Sequence, residues 1–203
     1  MQNYKTLIIL DWDDTLFPTS WLSKNNINLL DIDEQNKYIV FFSRLDNLLY
    51  KLFLNMIKYG QIVIITNATQ KWIHISSNII PNTQKIIQNR VPIISAKDTY
   101  EKKYPMQTSM WKKLSFKNII SDYFKSYKYQ NIVSLGDADH EFYAMTDLYD
   151  EFSLRKIKLL KTVRFIKDPS HDSLIDQLEV IDNSLHHIIT AKKHMDLNFN
   201  EKN

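Results

Sequence analysis

Short apolar runs separated by longer amphipathic segments recur along the whole chain, and several of the runs end in polar residues. The first run, Leu7 to Leu10, is too short for a helix and leads directly into the carboxylates and hydroxyl of Asp11 to Thr15. Continuous apolar runs of this length predict strands that are buried on both faces, as in a parallel sheet. Similar runs occupy residues 61–67, 91–95, 131–135 and 159–166.

The segments between the runs have the spacing of helices that pack on such a sheet. From Asp31 to Tyr59, apolar residues recur every three or four positions and predict one long helix, which begins at an Asp31–Glu34 capping box and ends at Gly60. Strands that alternate with helices indicate an α/β fold, a doubly wound parallel sheet flanked by helices. Further helices are predicted at 69–79, 83–88, 109–126, after Gly136 and at 170–194, and a lysine-rich loop is predicted at 96–110.

Length and composition restrict the class of protein. A chain of 203 residues with 44% hydrophobic residues predicts one domain, which we expect to span residues 1–197 and to be followed by a disordered tail at 198–203. The absence of cysteine excludes disulfides, zinc–thiolate sites and cysteine nucleophiles. With neither a signal peptide nor an apolar run long enough to span a membrane, we expect a soluble, cytoplasmic protein.

Polar residues follow three of the predicted strands. Binding sites in open α/β sheets lie beyond the carboxyl ends of the strands, so these residues are candidates for chemistry. A magnesium ion with a phosphorylated substrate would explain all three clusters, because Mg²⁺ is commonly held by carboxylates, water and phosphate oxygens. Glu141 lies one helical turn beyond Asp137, where it can brace that ligand or bind a metal-bound water. The residues at these strand ends are Asp11, Asp13, Thr66, Asn67, Asp137 and Glu141.

The stretch from Asp11 to Thr15 resembles the first motif of the haloacid dehalogenase-like superfamily, whose phosphatases use an aspartate nucleophile. Many members have glycine where Asp14 stands, a departure that affects the loop but removes no catalytic group. The dehalogenases of the superfamily lack the second aspartate, so Asp13 indicates phosphoryl transfer. The resemblance extends over nearly the whole chain, from Leu7 to about Ile166, with the motifs in the expected order.

Three later motifs of the superfamily also have counterparts. Thr66 corresponds to the Ser or Thr that ends an apolar strand in the second motif. The third motif is a helix-borne lysine, for which Lys112 is the best match and Lys113 and Lys103 are alternatives. The fourth corresponds to Asp137 after Gly136, with Glu141 or Asp139 as the second acidic residue.

The resemblance implies a role for each of these residues. Asp11 would attack phosphorus and form an aspartyl-phosphate, and Asp13 would act as general acid and then as general base. Thr66 and Lys112 would stabilise charge on the phosphoryl oxygens. The implied cofactor is Mg²⁺, with Asp11, Asp13, Asp137 and Glu141 as candidate ligands. The candidate substrate-binding residues are Trp12, Thr15 and Asn67.

The two intervals in which the superfamily inserts cap domains are short in this chain. The interval from Leu16 to Gly60 is occupied by the long helix and by a segment that forms either a flap over the site or a loop packed on the core. Neither this interval nor that from Asn67 to Trp111 leaves the ~60 residues that a separate domain requires. We therefore expect no separate cap domain and a site that is open to solvent.

An open site predicts a bulky phosphorylated substrate. We expect a phosphoprotein before a nucleic acid or a phosphorylated small molecule, and no membrane partner. The eight lysines from Lys97 to Lys128 are either a solvated surface or part of a basic rim that docks the substrate. Two alternative functions are a polynucleotide phosphatase and a catalytically silent binding module with the same fold.

Overall fold

A computed structural model describes residues 6–126, 131–151 and 158–200, and within them one parallel sheet organises the chain. Its strand order is β3-β2-β1-β4-β5-β6. The order reverses between β1 and β4, which is where open α/β sheets form their binding crevice. The strands are β1 Thr6–Leu10, β2 Gly60–Thr66, β3 Ile93–Ser95, β4 Asn131–Gly136, β5 Leu159–Arg164 and β6 Met195–Asn198.

Helices cover both faces of the sheet and confirm the predicted doubly wound architecture. Buried side chains of α3, α5 and α9 pack on one face, and those of α7 and α8 pack on the other. No inserted cap domain occurs in the described part of the chain, and no helix there is long and apolar enough to cross a membrane. The helices are α1 Thr19–Lys24, α2 Ile32–Lys37, α3 Ile39–Ile57, α4 Gln70–Ser77, α5 Pro81–Arg90, α6 Ala96–Tyr100, α7 Thr108–Ser126, α8 Asp139–Glu151 and α9 His171–Thr190.

The apolar runs are explained by the two cores that the sheet separates. Ile8 and Leu10 belong to the core beneath α3 and α9, whereas Leu7 and Ile9 belong to the core beneath α7 and α8. Successive residues of a strand point to opposite faces, so a strand buried on both faces must be apolar throughout. The segment after β1 also packs on the core, because Leu16, Phe17 and Leu22 are buried.

The predicted long helix at residues 31–59 is interrupted, which corrects one expectation. Asp31 caps α2 as predicted by accepting the N–H groups of Asp33 and Glu34, but the helix ends before Tyr38 and α3 begins after it. The ring of Tyr38 packs edge-on against Trp21 at a centroid distance of 5.1 Å. This tertiary contact overrides the local helical periodicity, which continues across the break.

Two further elements differ from the sequence-based expectation. The segment predicted as a loop contains the short helix α6, whose first turn is capped by the hydroxyl of Ser95. The last helix ends at Thr190, and the chain then forms β6 along β5. Phe199 continues this pairing, since its N–H donates to the carbonyl of Arg164, and so residues 198–200 are not a disordered tail. Residues 201–203 lie outside the described part of the chain.

Gly60 is required by strand pairing, whereas the sequence suggested that it ends a helix. The helix α3 already ends at Ile57, and Gly60 is the first residue of β2, paired with Thr6. A Cβ atom at position 60 would lie 1.9 Å from the carbonyl oxygen of Thr6. No side chain can be accommodated at that distance, so glycine allows β1 and β2 to begin side by side.

Candidate functional site

Two carboxylates lie at the carboxyl ends of the central strands β1 and β4. Asp11 directly follows β1, and its N–H donates to the carbonyl of Leu135 at 3.0 Å, which extends the pairing of the two strands by one residue. Asp137 directly follows β4, which ends at Gly136. The side chains therefore occupy the crevice at the point where the strand order reverses, as the sequence predicted.

The buried ammonium group of Lys112 joins Asp11 to the first turn of α8. Its Nζ lies 2.7 Å from Oδ1 of Asp11 and 2.7 Å from Oε1 of Glu141, and its side chain is fully buried. Lys113 instead pairs with Asp147 at the surface, and the ammonium group of Lys103 lies over the ring of Tyr104. Among the three lysines that the motif left open, only Lys112 contacts Asp11 and Glu141.

Glu141 is the second acidic residue of the site. Its Oε2 accepts the N–H of Ala138 at 2.9 Å, which turns the carboxylate back over the N-terminus of α8 and towards Lys112. Gly136 leaves room for this arrangement, since a Cβ there would lie 2.8 Å from the same oxygen. The alternative, Asp139, is exposed and pairs with Lys167.

The three carboxylates form a set that fits a divalent cation. One oxygen each from Asp11, Asp137 and Glu141 lies within 4.8 Å of the others. These carboxylates carry three negative charges when ionised, against the single charge of Lys112, and oxygen ligands of this kind suit Mg²⁺. Asp13, which the resemblance also proposed as a ligand, does not belong to this group, because its carboxylate turns to other partners.

Burial, with the neighbouring carboxylates as a smaller cause, raises the pKa of two of these groups. Burial raises the pKa of Asp11 to about 7 even though Lys112 opposes the shift. Burial, together with the neighbouring charges of Asp11 and Glu141, raises the pKa of Asp137 to about 8. Burial by itself would lower the pKa of Lys112, but Asp11 and Glu141 outweigh it and raise that pKa, so Lys112 remains charged.

Asp13 is held by two donors that the sequence analysis did not identify. Its Oδ1 accepts hydrogen bonds from the indole Nε1 of Trp72 at 2.9 Å and from the hydroxyl of Thr19 at 2.5 Å. Thr19 begins α1 and Trp72 lies in the first turn of α4. Both residues follow a motif closely in the sequence, Thr19 four residues after Thr15 and Trp72 six residues after Thr66, but neither belongs to a motif. Nothing in the sequence marks either of them as a donor to Asp13.

Asp14 explains how the loop after β1 tolerates the absence of glycine. Its φ is 55°, in the left-handed region that aspartate enters more readily than most residues. Its carboxylate accepts the N–H of Ser20 at 2.9 Å and also binds that residue's hydroxyl, in the first turn of α1. Burial raises the pKa of Asp14, while the bonds from Ser20 oppose that shift. Asp14 therefore fixes α1 beside Asp13.

Thr66 and Asn67 lie at the carboxyl end of β2, whereas Trp12 and Thr15 lie in the loop after β1. The hydroxyl oxygen of Thr66 accepts the N–H of Ala68 at 3.0 Å, and Asn67 donates from Nδ2 to the carbonyl of Thr108. The side chains of Trp12 and Thr15 are completely buried, and the indole N–H of Trp12 donates a hydrogen bond to the hydroxyl oxygen of Ser76. Neither of these two side chains reaches the surface, so their role in substrate binding stays a prediction that could rest only on their backbone groups.

Comparison with known proteins identifies no relative of this chain. No protein-family model matches it, and neither curated proteins nor solved structures give a significant match. Its function must therefore be inferred from the chemistry of the site and the motif.

The raised pKa values of Asp11 and Asp137 lead to a prediction about pH and metal. In the metal-free folded protein both groups keep a proton at pH values where the unfolded chain, with a pKa of about 4, has lost it. The folded state binds more protons, so the free energy of unfolding should fall as the pH rises from about 4 to about 8.

Magnesium should reverse this loss because a bound cation replaces the protons. We expect Mg²⁺ to raise the melting temperature, measured by scanning calorimetry, more at about pH 8 than at about pH 6. Asp137→Asn should abolish the response, and Asp139→Asn, which changes an exposed carboxylate two residues away, should preserve it. A response of the same size at both pH values and in both variants would contradict the site.

A second prediction concerns Lys112 and its buried ion pairs. Lys112→Met keeps an unbranched side chain, one atom shorter, but leaves Asp11 and Glu141 buried without their cation. We expect the free energy of unfolding, measured in urea, to fall by about 3–5 kcal/mol. The control Lys113→Met breaks a surface pair and should cost less than about 1 kcal/mol. Equal losses in the two variants would show that the buried pairs do not stabilise the fold.

Proposed function

We propose that this protein is a Mg²⁺-dependent phosphatase of the haloacid dehalogenase-like superfamily that hydrolyses phosphomonoesters through an aspartyl-phosphate. The observation that supports this most is the buried bridge from Lys112 to Asp11 and Glu141, with Asp137 beside it at the ends of the central strands. A carboxylate nucleophile, a fixed cation and an adjacent carboxylate acid together suit phosphoryl transfer.

The first chemical step uses Asp11 and Asp13. A carboxylate oxygen of Asp11 forms a bond to phosphorus while the bond from phosphorus to the leaving oxygen breaks. The leaving oxygen takes a proton from the protonated carboxyl group of Asp13, so an alcohol departs and Asp13 becomes a carboxylate.

The second step regenerates the enzyme. A water molecule gives a proton to Asp13 as its oxygen bonds to phosphorus, and the bond between phosphorus and Asp11 breaks. The products are inorganic phosphate and the original Asp11 carboxylate. Asp13 has then returned to its protonated state, so the protons and electrons of the cycle balance.

Three groups of the chain stabilise the phosphoryl charge. Lys112 supplies a permanent positive charge beside Asp11. The hydroxyl oxygen of Thr66 already accepts the N–H of Ala68, which leaves its proton for a phosphoryl oxygen. Asp11, Asp137 and Glu141 would hold the Mg²⁺, which when bound neutralises negative charge on the phosphoryl group.

Space for a substrate adjoins the site. An open groove of about 670 Å³ runs from Asp137 past Arg164 and Lys167 to Phe199, and β6 contributes to its wall. No cap domain covers it in the described residues. We therefore favour a phosphoprotein substrate over a small phosphorylated molecule.

The predicted basic rim is only partly suited to docking. Lys102 and Lys103 are exposed, but Lys112 lies inside the site and Lys113 is engaged by Asp147. The side chains of Lys125 and Lys128 lie outside the described residues. The exposed lysines at this rim are the feature that favours the alternative of a polynucleotide substrate.

The nucleophile provides the direct test of the proposal. The purified protein should hydrolyse an aryl phosphate in Mg²⁺ and stop when the metal is chelated. Asp11→Asn should lower kcat by at least about a thousandfold, equivalent to about 4 kcal/mol, since the amide cannot form the covalent intermediate. The control Asp33→Asn, at an exposed position of α2, should retain full activity. Near-normal turnover by folded Asp11→Asn would rule out the mechanism.

A substrate panel ranked by kcat/KM distinguishes the candidate functions. We expect phosphopeptides to exceed nucleotides and sugar phosphates, because no cap domain in the described residues encloses the site around a small substrate. A small metabolite that leads by about a hundredfold, equivalent to about 2.7 kcal/mol, would contradict the open-site argument. A leading phospho-oligonucleotide with steeply salt-dependent binding would favour the polynucleotide phosphatase. Binding without turnover across the panel would favour the silent module.

A further inference from the structure

The two donors to Asp13 bind the same carboxylate oxygen. Trp72 and Thr19 both reach Oδ1, and the indole Nε1 of Trp72 also lies 3.4 Å from the hydroxyl oxygen of Thr19. No hydrogen bond within the described part of the chain engages Oδ2 of Asp13. The two oxygens of this carboxylate therefore have different environments.

The chemistry of the donors keeps Oδ1 and Oδ2 different in both protonation states of Asp13. An indole N–H can only donate, so the atom that faces Trp72 must be an acceptor whether or not Asp13 carries a proton. The hydroxyl of Thr19 faces the same indole N–H, which favours the orientation in which its own proton points to Oδ1 of Asp13. Oδ1 is thus reserved as an acceptor, and Oδ2 is the oxygen left to carry and exchange a proton.

Local structure holds both donors in place. Asp14 binds the first turn of α1 and thereby fixes Thr19 one residue before Ser20. The hydroxyl of Thr69 caps α4 by accepting the N–H of Trp72 at 3.1 Å. The ring of Trp72 packs edge-on against Phe17, with their centroids 6.2 Å apart. Each donor is fixed by contacts other than the one it makes to Asp13.

We propose that Thr19 and Trp72 are positioning residues that hold Oδ1 of Asp13 and so present Oδ2 to the leaving oxygen. This inference rests on the proposed phosphatase function and extends the machinery to residues outside the four motifs. Neither residue touches the phosphoryl group in this role. They act through Asp13, so their removal should weaken proton transfer and leave the attack by Asp11 intact.

A leaving-group series separates this role from a structural one. The ratio kcat/KM reports the steps up to formation of the aspartyl-phosphate, and a poor leaving group depends on a general acid whereas a 4-nitrophenolate hardly does. In Trp72→Phe, which keeps an aromatic ring but no N–H, kcat/KM for 4-nitrophenyl phosphate should stay within about threefold. For an alkyl phosphate it should fall by about 10- to 100-fold.

Two further variants keep the test independent of the tryptophan. Thr19→Val keeps the shape of the side chain without its hydroxyl and should show the same selective loss, and Thr19→Ser, which restores the hydroxyl, should recover kcat/KM for the alkyl phosphate. The phosphoenzyme on Asp11 should accumulate in Thr19→Val, because Asp13 also activates the water, and mass spectrometry would detect it. The matched control Trp21→Phe, whose ring packs on Tyr38 and His171, should leave both substrates unchanged.

Each remaining outcome overturns the inference. Equal losses for both phosphate esters would show that Trp72 and Thr19 only support the fold. Full activity of Trp72→Phe and Thr19→Val on the alkyl phosphate would show that Asp13 needs no positioning. The wild-type protein is measured before any variant. If it hydrolyses neither ester and takes up no phosphate on Asp11, the proposed function is overturned together with this inference.

Discussion

The site depends on one buried cation. The ammonium group of Lys112 has no access to solvent, and a charge in that position is tolerated only when it is paired and hydrogen-bonded. Asp11 and Glu141 supply the pairing from β1 and from the start of α8, so α7, α8 and the central strand must be assembled before the charge is satisfied. The packing of α7 and α8 on the central strand and the pairing of the buried charge therefore depend on each other.

The same pairing leaves the site short of positive charge. Asp137 joins the two carboxylates that Lys112 already pairs with, and burial together with repulsion among these carboxylates raises the pKa values of Asp11 and Asp137. Protons or a divalent cation can neutralise the cluster, and a bound phosphate alone would make the imbalance worse. Under the proposed function, a metal and a phosphorylated substrate should therefore bind cooperatively, because each lowers the electrostatic cost of binding the other.

The sheet and the strand-end carboxylates could be predicted because both follow from simple patterns. Short apolar runs such as Leu7 to Leu10, followed directly by polar residues, are typical of strands in a parallel sheet, and parallel strands bring their carboxyl ends to one edge. The orientation of Trp12 and Thr15 could not be predicted. Side chains alternate between the two faces of the sheet only within the strand, and in the loop beyond it both of these side chains are buried in the core. The strand β6 was missed since it is a short edge strand, half-buried on alternate residues, without an apolar run.

The groove beside Asp137 offers a further physical argument about the substrate. Its two cationic residues are already engaged, Arg164 by Asp196 at 3.0 Å and Lys167 by Asp139 at 2.8 Å. A surface that binds the backbone of a nucleic acid gains its affinity from cations that replace counterions on successive phosphates. Cations that are paired within the protein contribute much less to this binding free energy. They can still leave their carboxylate partners to pair with the acidic groups of a peptide while its basic groups pair with those carboxylates. The pairing of Arg164 with Asp196 of β6 and of Lys167 with Asp139 thus supports the proposal of a phosphoprotein substrate over a polynucleotide, which the number of lysines in the sequence did not reveal.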